Sequence, residues 1–295
     1  MGEFSPVLLL RAESQRGVLL VSFRLGARFN DMSEVTAPVV PAWFQNGFHR
    51  FLRPFVKRHF HAVAVESGCR ESLQFDADEP LLIYGNHPSW WDPLIAHFLN
   101  RSLFPSRQFY APIDAEALEQ YAVFGKLGFY GVQMNTTSGA AAFLKQTSAI
   151  LDGGQTAIWI TPEGRFSDVR DHAAELMPGL AHICTKLSRG WVVPLALEYT
   201  FWDERLPVCL AMFGQPIQIA VHARSSKPEW QEMLSVDLRG TQAKLAQLAM
   251  ARRSDPFDDL LVGKAGAGVF YDSFRRVRSV FSGKKFRNKH GDQFQ

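Results

Sequence analysis

Short apolar runs separated by helical patterns constrain the fold of this chain more than any other feature. Ala62–Val65, Ser72–Phe75, Leu81–Tyr84, Gln108–Ala111, Phe129–Met134, Thr156–Ile160, Trp191–Glu198 and Val208–Phe213 read as strands. Between them, Pro93–Asn100 follows Asp92, an N-cap ahead of an N1 proline. Ala140–Leu151 closes on Asp152-Gly153-Gly154, and Pro178–Ser188 opens on proline and ends near Gly190. Strands alternating with helices predict an α/β fold: a central mixed, largely parallel sheet flanked by helices. Glu229–Arg253 reads as a longer helix, followed by a glycine-rich turn at Gly263–Gly268. No run reaches the roughly 18 apolar residues that a membrane-spanning helix needs.

The two ends differ from this middle. Residues 1–37 lack periodicity and are expected as a poorly ordered extension, with charges that spoil any signal-peptide reading. From Trp43 to Phe60, Phe44, Phe48, Phe51, Leu52, Phe55, Val56 and His59 recur at helical spacing beside Arg50, Arg53, Lys57 and Arg58. Pro54 predicts a kink or two shorter helices. Rings beside cations suit a helix lying in a membrane interface, and equally a helix packing its rings on the core. Formal net charge is only +3, yet residues 38–65 hold four cations and no acid, and residues 270–295 hold seven cations against two acids. Such basic segments on an acidic body suggest a surface that meets something anionic, or, for a charge run taken alone, a pair of ordinary solvated faces; no nucleic-acid partner is expected. The expected organisation is an extension at 1–37, an amphipathic membrane-proximal helix at 38–61, a core at 62–221 and a helical segment with a basic tail at 222–295. Cys69, Cys184 and Cys209 are too few and too scattered for a disulfide framework and read as reduced core thiols of a cytoplasmic protein.

Gly-x-Ser-x-Gly, Walker A and His-Glu-x-x-His motifs are missing, and no metal site is expected. The informative segment is Leu81-Leu82-Ile83-Tyr84-Gly85-Asn86-His87-Pro88-Ser89-Trp90-Trp91-Asp92. A strand ends at Gly85 and a loop carries His87 toward a helix, the place where open α/β sheets put ligands. If the loop folds back, Asp92 can hold one imidazole nitrogen and leave the other free to take a proton. A second strand, Thr156–Ile160, runs into Thr161-Pro162-Glu163-Gly164-Arg165-Phe166-Ser167, which sets a carboxylate, a glycine and a guanidinium at another strand end. On spacing alone the first segment reads as a satisfied loop histidine with a simple helix cap, and the second has the alternative of a polar turn with a surface ion pair.

Together, Asn86-His87-x-x-x-x-Asp92 and Pro162-Glu163-Gly164 resemble the glycerophospholipid acyltransferase family, whose type member is 1-acylglycerol-3-phosphate acyltransferase. The resemblance covers roughly Trp43 to Ile219, and Pro194 within Val192–Leu197 fits the family's proline in an apolar strand. It implies an acyltransferase-type α/β core with His87 as general base and Asp92 orienting it. Glu163, Gly164 and Arg165 would line the acceptor site, with Asn86 and Pro194 as structural neighbours. The donor would be acyl-CoA or acyl carrier protein, with no further cofactor. The acceptor would be a lysophospholipid or related lipid alcohol, reached at the inner face of the cell membrane. Two departures stand out. Gly128–Asn135 lacks the family's second-block arginine, and Phe166 occupies the usual arginine position of the third block, with Arg165 one place early. They leave open an acceptor without phosphate, such as a glycosylated or hydroxylated lipid. A thioesterase-like hydrolase and a non-enzymatic lipid-binding scaffold of the same fold also stay open.

Overall fold

Leu81–Gly85 is buried along its whole length, as a strand must be when helices cover both faces of its sheet. The computed structural model describes residues 37–134, 136–264 and 294. Its strands are β1 (Ala62–Glu66), β2 (Leu81–Gly85), β3 (Gln108–Asp114), β4 (Phe129–Val132), β5 (Thr156–Ile160), β6 (Trp191–Thr200), β7 (Val208–Phe213), β8 (Ile217–Gln218) and β9 (Phe257–Val262). Its helices are α1 (Ala42–His59), α2 (Asp92–Leu103), α3 (Ala115–Gln120), α4 (Thr137–Asp152), α5 (Gly179–Lys186) and α6 (Lys227–Ala251). The strands form one mixed sheet in the order β4-β3-β5-β2-β6-β7-β1-β9, with β8 alongside β6. β2 runs parallel to both neighbours, β5 and β6. The C-terminal ends of these three strands therefore lie side by side.

Alternation along the strands sorts the core into two layers. Leu81 and Ile83 face Leu52 and Val56 of α1 and Ile95 and Leu99 of α2. Leu82 and Tyr84 face Ile150 of α4, Leu180 and Ile183 of α5, and Trp230 and Leu234 of α6. Pro194 sits where β6 changes partner, from β8 at Trp191 and Val192 to β7 from Leu195 onward. A residue with no N–H suits that gap in the ladder, and its carbonyl still accepts the Gly214 N–H at 2.9 Å.

Several expectations are corrected. Ser72–Phe75 is not a strand: Glu71–Leu73 forms a short 3₁₀ turn, with the Ser72 hydroxyl donating to the Cys69 carbonyl at 2.8 Å. Pro54 does not split the first helix, which runs unbroken for 18 residues with the proline on its solvent side. Nor do the rings of α1 form one outward face. Phe44 and Phe48 pack on the core, and Phe55 lies 5.7 Å from the Trp91 ring. Only Trp43 (73% exposed) and Phe51 (50%) turn outward, among the exposed Arg50, Arg53, Lys57 and Arg58. After α6 the chain is not all helical, since β9 pairs antiparallel with β1. The three cysteines are free and buried. The extension up to residue 36, Asn135 and the basic tail at 270–293 lie outside the described residues.

Candidate active site

The loop after β2 is shaped by two contacts before it reaches His87. A side chain at Gly85 would meet the Leu195 carbonyl at 2.9 Å, so only glycine lets β2 approach β6 there. Asn86 is buried, and its amide stands in for a ladder residue. Nδ2 donates to the Leu197 carbonyl at 3.0 Å, and Oδ1 accepts the Leu197 N–H at 2.8 Å. The chain is thus fixed to β6 one residue before His87.

The loop then folds back and brings Asp92 to His87. The Asp92 N–H donates to the Ser89 carbonyl at 3.1 Å, and the Ser89 N–H donates to Asp92 Oδ2 at 3.1 Å. His87 Nδ1 lies 2.6 Å from that same oxygen. With Nδ1–H donating to the carboxylate, Nε2 is the nitrogen left to take a proton. Asp92 itself is not the N-cap that the sequence suggests. Trp91 holds the cap position without a side-chain hydrogen bond, and Asp92 is the first residue of α2 with its carboxylate turned to the loop. The histidine side chain keeps 19% exposure against 4% for Asp92, so the imidazole stays open to solvent while its partner is enclosed.

Asp92 has a third donor. Tyr199, near the end of β6, donates its hydroxyl to Oδ1 at 2.7 Å. Burial first, then the Asp92 charge, push this phenol well above its usual range, so it holds its proton and donates. Burial and the same carboxylate raise the nearby Cys209 thiol as well. A carboxylate with both oxygens accepting hydrogen bonds is rigid, and through it the imidazole is aimed.

The loop after β5 closes the other side. The Glu163 carboxylate is buried, with Oε1 2.7 Å from Arg239 Nη1 and Oε2 accepting the His87 N–H at 3.3 Å. The Ser167 N–H donates to the His87 carbonyl at 3.0 Å. Gly164 has a left-handed φ of 65°, and a Cβ there would fall 2.5 Å from Met177 Sδ. Phe166 lays its ring on His87, centroids 4.3 Å apart and planes at 36°. Arg165 is exposed and forms a 3.6 Å ion pair with Asp171.

His87, Asp92, Asn86 and Glu163 are therefore gathered at the adjoining ends of β2, β5 and β6, while Arg165 is engaged at the surface and Pro194 is a sheet residue opposite Tyr84. Sequence reasoning missed Tyr199 and Arg239. Tyr199 follows an apolar strand run, a weak signal for a group at a strand's C-terminal end. Arg239 is one basic residue of a helix and carries no signal of its own. Among the described residues no cluster of three or more His, Cys, Asp or Glu side chains is arranged to hold a metal.

The family model described as Acyltransferase matches residues 66–198. That span includes His87, Asp92 and Glu163 and ends just short of Tyr199. No curated protein matches the chain. Among solved structures, that of the pilus retraction motor PilT with bound ADP is similar at 11% identity and a TM-score of 0.31, covering 62% of this chain and 61% of that one. The likeness is too slight to bear on fold or function.

Proposed function

We propose that this chain, whose residues 66–198 match the acyltransferase family model, is an enzyme that moves a fatty acyl chain from acyl-CoA or acyl carrier protein to the hydroxyl of a lysophospholipid or related lipid alcohol. The observation that carries the mechanism is the 2.6 Å contact between His87 Nδ1 and Asp92. His87 Nε2 takes the proton of the acceptor hydroxyl as its oxygen attacks the thioester carbonyl carbon, and backbone N–H groups near the site stabilise the oxyanion. Collapse of the tetrahedral intermediate breaks the carbon–sulfur bond. The leaving thiolate takes the proton back from the imidazolium, so His87 ends the cycle neutral. Asp92 supports the transient imidazolium, and Tyr199 holds Asp92. The thioester already carries the activated acyl group, so the reaction as written asks for no further cofactor.

The acceptor's headgroup has two readings. The lysophospholipid reading follows the family resemblance. A second is favoured by the Phe166 ring over His87 and by the Arg165–Asp171 pair, which engages that guanidinium with an acid at the surface. On that reading the acceptor is a glycosylated or hydroxylated lipid without phosphate.

Access to a bilayer-dissolved acceptor would come from peripheral attachment to the inner face of the cell membrane. Among the described residues no helix is long and apolar enough to cross a membrane. The outward Trp43 and Phe51 of α1, beside four exposed cations, support docking on an anionic leaflet. Radiolabelled acyl-CoA incubated with and without lysophosphatidic acid tests the whole reading. Labelled diacyl product supports it. Labelled free fatty acid alone, whatever alcohol is supplied, would replace transfer by hydrolysis.

A further inference from the structure

Glu163 is the more deeply buried of the two site carboxylates, its side chain only 1% exposed, and neither oxygen is free to meet a substrate. A carboxylate in such a place needs a close cationic partner to offset the hydration it has lost. Arg239 is that partner. It belongs to α6, beyond the residues 66–198 matched by the family. Its side chain is 12% exposed, and its guanidinium reaches further than Glu163. Nη1 also donates to Gln242 Oε1 at 2.6 Å, and Nη2 donates to the Ala174 carbonyl in the segment after β5. Gln242 in turn donates to the Val169 carbonyl at 3.5 Å. One turn of α6 thus holds the segment 163–174 at three points. That segment holds His87 from both sides, because Glu163 accepts its N–H and the Ser167 N–H donates to its carbonyl.

We propose that Arg239 is a positioning residue for acyl transfer: by anchoring Glu163 and Ala174 it fixes the main chain of His87, so α6 is part of the catalytic apparatus. The inference rests on His87 acting as the base. It also changes the part played by Glu163, which steadies the histidine instead of lining the acceptor site. Arginine is required here for its shape. A planar fork spans Glu163 and Ala174 from two nitrogens, whereas a lysine brings the charge on one. Misplacing a catalytic group by about 1 Å costs about a hundredfold in rate, the scale on which a loosened clamp is felt.

The test uses the full chain with Arg239→Met and Arg239→Lys. Turnover and KM are measured with oleoyl-CoA and lysophosphatidic acid, and amide hydrogen exchange is followed over the peptide spanning residues 86–92. Arg239→Met should lower kcat by about a hundredfold with both KM values held within about twofold, and should speed exchange at His87. Arg239→Lys, which retains the charge and guards against a folding failure, should lower kcat by about tenfold in the same pattern. Unchanged exchange in both variants would overturn the clamp. So would faster exchange with wild-type turnover, or a rise in acceptor KM at constant kcat, which would place Arg239 in acceptor binding. His87→Ala runs alongside. Should it keep full turnover, the base assignment falls, and the exchange result alone then decides whether Arg239 holds the loop.

Discussion

Acidification should loosen the helix that presents Asp92, through a histidine that takes no part in the chemistry. His97 lies on α2 with 1% exposure, and among the described residues its ring nitrogens meet no more than a weak contact with the Leu127 backbone. Its ring sits 3.8 Å from Phe109, centroid to centroid, and 5.3 and 5.6 Å from Phe48 and Phe129. Burial, with a smaller push from His49, lowers its pKa from 6.5 to about 3. Between those values the unfolded chain binds a proton that the folded chain refuses, so stability falls as pH falls. The contribution is complete above pH 6.5 and is lost progressively toward pH 3. At 1.36 kcal/mol per unit, a drop to about pH 4.5 removes about 3 kcal/mol. A loss of that size is a large fraction of ordinary domain stability. Urea unfolding of the wild type and of His97→Leu, each at about pH 7.5 and about pH 4.5, isolates the effect. The leucine variant has its own starting stability, but the wild type should lose about 3 kcal/mol more across the pH interval. Asp237, Asp259 and Glu198, whose pKa values burial raises, titrate in both proteins and cancel in the comparison. Equal losses in the two proteins would refute the reasoning.

Three further outcomes follow from the site. His87→Ala should reduce acyl transfer by about 10²- to 10⁴-fold while leaving the thermal melt close to wild type, since the side chain contributes chemistry more than packing. Near-normal product formation by chromatography would remove His87 from the mechanism. Tyr199→Phe should lower kcat by about tenfold without raising the donor KM, because one charge-assisted hydrogen bond to Asp92, worth roughly 1.5–3 kcal/mol, is deleted. Unaltered steady-state kinetics would make the hydroxyl a bystander. Vesicle cosedimentation should rise with anionic lipid and fall with salt, and Arg50→Glu with Lys57→Glu should weaken it, each cation being worth about 1 kcal/mol near a charged leaflet. A protein that stays in the supernatant at every lipid composition would make the basic face of α1 an ordinary solvated one.

Elements with a strong local pattern were legible and those without one were not. Leu81–Tyr84, Thr156–Ile160 and Trp191–Glu198 are near-continuous apolar runs, and they became the three adjacent parallel strands that carry the site. β9 was missed because Asp258 and Asp259 interrupt its apolar residues, a pattern tolerated at the edge of the sheet beside β1. Ser72–Phe75 looked extended, but the Ser72 hydroxyl closes a local turn that no residue count anticipates. In α1 the period was legible and its meaning was not. Helical spacing says that Phe44, Phe48, Leu52, Val56 and Phe55 share a side, but it cannot say whether protein or lipid covers it. The packing against α2 and Trp91 answers for most of those rings.

The site divides along the same line, between near and distant neighbours in the chain. His87 and Asp92 are five residues apart, so a turn suffices to join them, and their partnership was readable from spacing and resemblance together. Tyr199 reaches Asp92, and Arg239 reaches Glu163, only because the sheet order brings the end of β6 beside that of β2 and packs α6 over the segment after β5. Neither contact has a sequence period. The consequence is functional. A histidine on a loop is a poor base unless its backbone and its ring are both held, for a mobile imidazole spends the rate advantage of proximity on its own disorder. In this chain the ring is held through Asp92 by Tyr199, and the main chain through Glu163 by Arg239. On the proposed mechanism the motif residues supply the reacting groups, and residues beyond the motif supply the stiffness those groups need. Substitutions at Tyr199 and Arg239 should therefore resemble weakened versions of changes at Asp92 and Glu163, lowering kcat and sparing KM, even though neither side chain touches a substrate.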